Sequence, residues 1–137
     1  MISLNKVNGD LTINHVTLHK NMSREEIENT GGLTLHSYDN WKSYVLRDLD
    51  GGDSGIGVQF YKNELLDFSI HLGVNYREIP YDMTPQEEQR VRDLLLQLGG
   101  EQQYSWGRVD LDYDAKGGGG YSIYISFGNP PRIQKYL

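Results

Sequence analysis

Hydrophobic and polar residues alternate along two stretches of the chain, and this period of two predicts antiparallel β-hairpins. In the first stretch, residues 56–61 and 65–72 alternate on either side of a turn at residues 62–64. In the second, residues 106–113 and 121–127 flank a tract that contains four consecutive glycines. Each strand has an apolar side and a polar side, which is typical of an antiparallel sheet covered on one face.

Two other stretches carry helix signals. Thr84 is followed by a proline and, three residues later, by a glutamate, and Ser23 is also followed three residues later by a glutamate. Both patterns predict a capping box, in which the two side chains bond the free amides of the first helical turn. We therefore predict a short helix over residues 23–30 and a main helix over residues 84–98. The main helix has one apolar stripe, formed by Val91, Leu94, Leu95 and Leu98.

The remaining N-terminal segments are predicted as strands. Residues 11–19 are rich in β-branched types and are interpreted as one strand, and residues 33–49 as one or two strands that bury Trp41, Tyr44, Val45 and Leu46. Helices that interrupt a meander indicate a single α+β domain over residues 1–137, with a mostly antiparallel sheet. The side chains expected in the core are Val58, Phe60, Phe68, Ile70, Val91, Leu94, Leu95, Leu98, Ile123 and Ile125.

Composition narrows the possible functions. The 137 residues include no cysteine, which excludes disulfides, thiolate zinc sites and cysteine nucleophiles. The formal net charge of −6 argues against a surface that neutralises nucleic-acid phosphates. No apolar run reaches the roughly 18 residues needed to span a membrane, and the N-terminus lacks the pattern of a signal peptide. We therefore predict a cytoplasmic protein with no nucleic-acid or membrane partner.

Three motifs resemble metal or phosphate sites but lack the residue spacing that such sites require. His15 and His19 lie in a predicted strand, where four residues span about 13 Å, too far for one metal ion. The segment 48–59 has Asp53 and Gln59 where an EF-hand requires glycine and glutamate. The glycines at 117–120 lead into a strand and not into the helix N-terminus of a phosphate loop. We expect no catalytic residue, no metal site and no cofactor.

The acidic row Asp110, Asp112 and Asp114 is the most informative motif. These residues alternate with apolar ones, so three carboxylates lie on the polar side of one strand, where their repulsion is unfavourable. Tyr124 and its serine neighbours should lie beside them on the next strand. Carboxylates, hydroxyls and an aromatic anchor together predict a site that binds a basic protein surface, although an ordinary solvated surface has the same composition.

Two other functional classes stay open. The first is a small enzyme with a dispersed active site built from His71, Asp67 and Tyr61, which would share a polar sheet face with Gln59. The second is an assembly or structural protein of unknown partner.

Two resemblances bear on function. The segment Trp106-Gly-Arg-Val-Asp-Leu-Asp-Tyr-Asp114, with the glycine tract and Tyr-Ser-Ile-Tyr-Ile125 after it, is similar to small acidic bacterial proteins that include toxin-immunity proteins. Residues 11–72, with Ser-Arg-Glu-Glu-Ile-Glu28 and Gly57-Val-Gln-Phe-Tyr, resemble the helix-and-meander unit of the β-lactamase-inhibitor protein and of outer-membrane-assembly lipoproteins. The second match lacks the Leu-Gly-x-Pro helix exit and the lipoprotein signal. Both resemblances imply a non-enzymatic protein, and the first implies an immunity protein whose partner is a cognate toxin with a basic surface.

Overall fold

The computed structural model describes residues 1–47, 49, 54–72, 83–114 and 120–137. Three sequence interpretations lie wholly or partly outside these residues: the calcium-loop segment at 48–53, the tip of the glycine tract and the side chain of Asp114.

The described chain forms two antiparallel sheets, two α-helices and a C-terminal 3-10 helix, which confirms the α+β class. The elements in chain order are β1 (Ile2–Leu4), β2 (Leu11–Ile13), β3 (Val16–Leu18), α1 (Arg24–Asn29), β4 (Leu33–Tyr38), β5 (Trp41–Arg47), β6 (Ser54–Tyr61), β7 (Glu64–Leu72), α2 (Pro85–Gln97), β8 (Gln102–Tyr104), β9 (Gly107–Asp114), β10 (Gly120–Phe127) and the 3-10 helix (Arg132–Tyr136). The first sheet has the order β1-β2-β3, and the second has the order β4-β5-β6-β7-β10-β9-β8.

Both helices begin as predicted. Ser23 accepts a hydrogen bond from the Glu26 amide, Thr84 accepts one from the Glu87 amide, and each glutamate bonds back to the cap residue. Pro85 occupies the first turn of α2, where a missing amide hydrogen costs nothing. The bounds of both helices agree with the predicted ranges to within a residue at each end.

One face of the seven-stranded sheet carries the core. The inward side chains of β6, β7 and β10 pack with Ile27 of α1, with Val91 and Leu95 of α2, and with apolar residues of the three-stranded sheet. Nine of the ten predicted core residues are buried, and Leu94 is half-buried at the margin of the core. Trp41 is also half-buried, because its ring packs against the ring of Tyr61, with centroids 4.8 Å apart.

The prediction of one strand over residues 11–19 is wrong. This segment is a hairpin, in which Ile13 pairs with Val16 across a two-residue turn. Asn14 adopts a φ of 55°, which asparagine tolerates better than most residues. Its side-chain amide donates a hydrogen bond to the Leu49 carbonyl over 2.7 Å. β-branched composition predicts strand but does not show where the chain reverses.

Trp106 connects residues 1–10, which we call the N-terminal arm, to the seven-stranded sheet, which we call the large sheet. The indole Nε1 donates a hydrogen bond of 2.9 Å to the carbonyl of Lys6. Gly9, with a φ of 83°, lies directly on the indole, and a Cβ at this position would be 2.7 Å from the ring.

Gly9→Ala is therefore expected to destabilise the fold by more than about 1 kcal/mol, because both the backbone conformation and the contact with Trp106 oppose a side chain. Gly31→Ala is the matched control, since Gly31 has a φ of 103° but no atom within 4 Å of the added Cβ. Urea unfolding of both variants separates the cost of the backbone conformation from the cost of the contact with Trp106. Equal losses of free energy would mean that the contact with Trp106 contributes nothing.

Candidate functional site: the polar face of the large sheet

The second face of the seven-stranded sheet is polar, and we call it the outer face. Its side chains form rows that run across the strands, as the pairing register shows. One row is His36, Ser43, Gln59, Asp67, Ser126 and Arg108, and the next row along the strands contains Val45, Gly57, Ser69, Tyr124 and Asp110. Because β7 is the fourth of the seven strands, Asp67 and Ser69 lie near the middle of this face.

Two polar side chains near the centre of the outer face are largely buried. Ser69 is only 7% exposed and Asp67 only 9% exposed, although neither belongs to the hydrophobic core. Gly57 lies opposite Ser69, and a Cβ at Gly57 would be 2.3 Å from the Ser69 hydroxyl. The absence of a side chain at position 57 therefore provides the space that the Ser69 side chain occupies.

His71 is held by two serine hydroxyls. Its Nε2 lies 2.9 Å from the Ser69 Oγ, and its Nδ1 lies 2.8 Å from the Ser122 Oγ. A neutral imidazole has one donor and one acceptor nitrogen, and a hydroxyl can do either, so both bonds can form in either tautomer. The result is a chain of polar groups that joins β7 to β10.

Asp67 differs from these residues because no described residue forms a hydrogen bond or ion pair with its carboxylate. Its cross-strand neighbours are Gln59 and Ser126, and neither side chain is charged. Burial alone raises the pKa of Asp67 to about 7, because the charged form has lost most of its hydration.

Three of the four predicted partner-binding residues, Asp110, Asp112 and Tyr124, lie on the same face, toward β9. Tyr124 is half-buried between Ser69 and Asp110, its neighbours on the two adjoining strands. Arg108 donates two hydrogen bonds to Asp110, of 2.7 and 2.8 Å, so one carboxylate of the acidic row is already neutralised. Asp112 is exposed and forms no hydrogen bond or ion pair with the described residues.

The residues of the enzymatic alternative share the outer face but do not form a compact site. Asp67 and His71 are four residues apart on one strand, a separation of about 13 Å. The Tyr61 ring is stacked on Tyr136, with centroids 4.0 Å apart, and packs edge-on against Trp41. A general acid and a general base must both reach the same reacting bond, and groups about 13 Å apart on one strand are too far apart for that.

Comparison with known proteins finds one informative similarity. The fold matches a chain of the solved structure of Rhs1-CT in complex with the cognate immunity protein RhsI1, with a TM-score of 0.63. The alignment covers 98% of this chain and 92% of that chain at 14% sequence identity. Similarity at this identity shows a shared fold. No protein-family model and no curated protein sequence matches the chain.

The described residues contain no group of three or more histidine or acidic side chains placed to hold a metal ion. His15, in the turn of the β2–β3 hairpin, and His19, after β3, are both exposed. Within the same part of the chain, no helix has the length and apolar character needed to cross a membrane.

Sequence reasoning located the outer face but missed the special position of Asp67. The alternation in β7 assigns Asp67, Ser69 and His71 to one side of the strand, but it cannot show which of these side chains becomes buried. Gly57 of β6 is the sequence signal for the burial of Ser69, because it lies opposite Ser69. The neighbour of Asp67 on β6 is Gln59, so the glycines of β6 give no signal for Asp67.

Proposed function

We propose that this chain is a non-enzymatic immunity protein that neutralises a cognate protein toxin by binding it. The observation that carries the proposal is the fold similarity to one chain of a toxin–immunity complex. The similarity extends over nearly the whole length of this chain and of the matched chain. The acidic composition and the polar outer face support the same role, because a polar sheet face with no assembled catalytic pair among the described residues suits recognition better than chemistry. A cytoplasmic location remains a prediction that accompanies this role.

We further propose that the outer face is the toxin-binding surface, with Asp110, Asp112, Asp114 and Tyr124 toward one side of it. A net charge of −6 favours a partner with a basic surface, since complementary charge accelerates encounter. Tyr124 offers a large half-buried ring of the kind that often dominates binding energy.

The direct test is a toxin-challenge assay. The reading frames adjacent to this gene are searched for a large secreted protein, and the C-terminal domain of each candidate is expressed in a sensitive host, with or without this chain. We expect growth only when this chain is present, and a stable complex of the two purified proteins by size-exclusion chromatography. Growth arrest in both cultures, with no complex formed, would refute the proposed function.

The acidic row should act mainly on the rate of association. We expect Asp112→Asn to slow association with a basic toxin severalfold at 0.1 M salt, and Asp110→Asn to have a smaller effect because Arg108 already neutralises that carboxylate. The difference should vanish toward 1 M salt, where the Debye length falls from about 10 Å to about 3 Å. Stopped-flow kinetics measures both variants and the triple variant Asp110→Asn, Asp112→Asn, Asp114→Asn. Unchanged association in the triple variant would leave the row a solubility feature.

A further inference from the structure

We propose that Asp67 is the receptor for a basic side chain of the partner, an arginine or a lysine, which contacts it near the middle of the outer face. The inference rests on the proposed function and extends it from a surface to one defined contact. The occupant is a cationic group on a protein surface.

Asp67 is 9% exposed and has no hydrogen-bond or ion-pair partner among the described residues. Its oxygens are not among the fully enclosed unpaired side-chain atoms of the described chain, so they keep some contact with solvent and a group from outside the chain can reach them. Polar groups with so little exposure are nearly always paired in proteins, so an exception requires an explanation. A carboxylate that awaits a partner from outside the chain supplies one, whereas a purely structural residue at this position would be apolar or amide-bearing.

No described lysine or arginine forms an ion pair with Asp67. Arg108 belongs to the same cross-strand row as Asp67, with Ser126 between them. Its guanidinium is turned instead toward Asp110 on its own strand, where it donates two hydrogen bonds. The Asp67 carboxyl group therefore lies between two uncharged side chains, Gln59 and Ser126, that can each accept a hydrogen bond from an incoming cation.

Gln59, the cross-strand neighbour of Asp67, lines a cavity of about 140 Å³ together with Trp41 and His36, and Lys42 belongs to the same lining. Asp67 itself is not part of that lining, so the apolar stem of the incoming side chain, and not its charged end, would lie toward the cavity. A long basic side chain binds in such surroundings by its apolar stem and by its charged end at once. The planar guanidinium of arginine also matches a carboxylate with two parallel hydrogen bonds.

The burial of Asp67 also lowers the dehydration cost of binding a cation. A buried ion pair between two proteins is often weak, because each charge must lose its water when the pair forms. At Asp67 that loss has already occurred during folding, so on binding only the incoming cation is dehydrated. A preorganised acceptor of this kind strengthens the complex at the expense of the free protein.

A small cation tests the site without any toxin. Methylguanidinium chloride is titrated into the labelled protein, with tetramethylammonium chloride as the control for salt, and amide chemical shifts are recorded. We expect saturable shifts from methylguanidinium alone at residues 57–59, 67–71 and 124–126, and their loss in Asp67→Asn. Identical titrations of the wild type and the variant, or shifts confined to Asp110 and Asp112, would overturn the assignment.

The toxin then tests the contact itself. Asp67→Asn is expected to raise the Kd at least about 30-fold, chiefly through faster dissociation, because one partner of a buried pair is lost. The effect should persist at 0.5 M salt, whereas that of the exposed control Asp112→Asn should fade. If the wild type binds and Asp67→Asn stays within twofold of it, this inference fails and the proposed function stands. If the wild type does not bind, the proposed function fails, and the methylguanidinium titration still decides whether Asp67 receives a cation.

Discussion

Asp67→Asn is expected to raise the free energy of unfolding at pH 8 by up to about 4 kcal/mol and to change it little at pH 4. The pKa of Asp67 is about 7 in the folded protein and about 3.9 in an unfolded chain. Each unit of difference corresponds to about 1.4 kcal/mol, so three units give the upper limit. Because asparagine carries no charge, the variant avoids the cost of a buried, unpaired carboxylate.

The direction follows from proton binding. Below pH 4 both states of the wild type are protonated at Asp67, and this residue makes no contribution to the pH dependence. Between pH 4 and 7 the unfolded state loses the proton while the folded state retains it, so wild-type stability falls as pH rises. Above pH 7 the loss is complete and stays constant.

Neighbouring groups do not obscure this effect. The side chains beside Asp67 in its cross-strand row, Gln59 and Ser126, do not titrate. On β7 the titratable groups nearest to Asp67 on this face are Glu64, three residues away, which accepts hydrogen bonds from Lys135 and Tyr136, and His71, four residues away. Arg108 lies two strands away in an ion pair. His36 is at the far end of the same row.

Chemical denaturation from pH 4 to pH 8 gives the measurement, and Asp112→Asn is the matched control. Asp112 is an exposed aspartate on the same sheet face, so its replacement should shift stability by less than about 0.5 kcal/mol at every pH. If Asp67→Asn follows the wild type in parallel across this range, Asp67 is ionised and solvated in the folded protein. If toxin binding fails in the same variant, the residue destabilises the free protein and stabilises the complex.

The sequence predicted those parts of the fold that depend on local chemistry. Both capping boxes are present, because a serine or threonine three residues before a glutamate satisfies the first amides of a helix wherever that helix lies. The hairpin of β6 and β7 also formed as expected. By contrast, nothing local predicts that β7 pairs with β10, about fifty residues later in the chain. Periodicity identifies the two faces of a strand but not the strand beside it.

The candidate site follows the same division. Asp110, Asp112 and Tyr124 were assigned to one polar face, and the register places Tyr124 opposite Asp110. The burial of Asp67 was not predictable in this way, because it results from β6 and β10 lying on both sides of β7. The ion pair of Arg108 with Asp110 joins residues two apart on one strand, and the alternation alone gives no sign of it.

Trp106→Ala is the second large effect that we expect, with a loss of about 3–5 kcal/mol, as for other buried tryptophans. The side chain is 7% exposed and stacks on Tyr104, with ring centroids 5.0 Å apart and planes 6° from parallel. It also packs against Phe127 and bonds the Lys6 carbonyl, so it joins the N-terminal arm to β8 and β10. Since a domain is typically stable by only 5–15 kcal/mol, this is a large share of the total.

Trp106→Phe separates the packing of the ring from its hydrogen bond. Phenylalanine keeps an aromatic ring against Tyr104 but cannot bond Lys6, so we expect a smaller loss, of about 1–2 kcal/mol. Hydrogen exchange should then accelerate more in β1 and β2 than in β7, because the arm loses its attachment to the large sheet. Toxin binding by Trp106→Phe should match the wild type below its unfolding transition, since Trp106 contacts the core side of the sheet and not the outer face. Weaker binding with an intact fold would place part of the interface on the N-terminal arm.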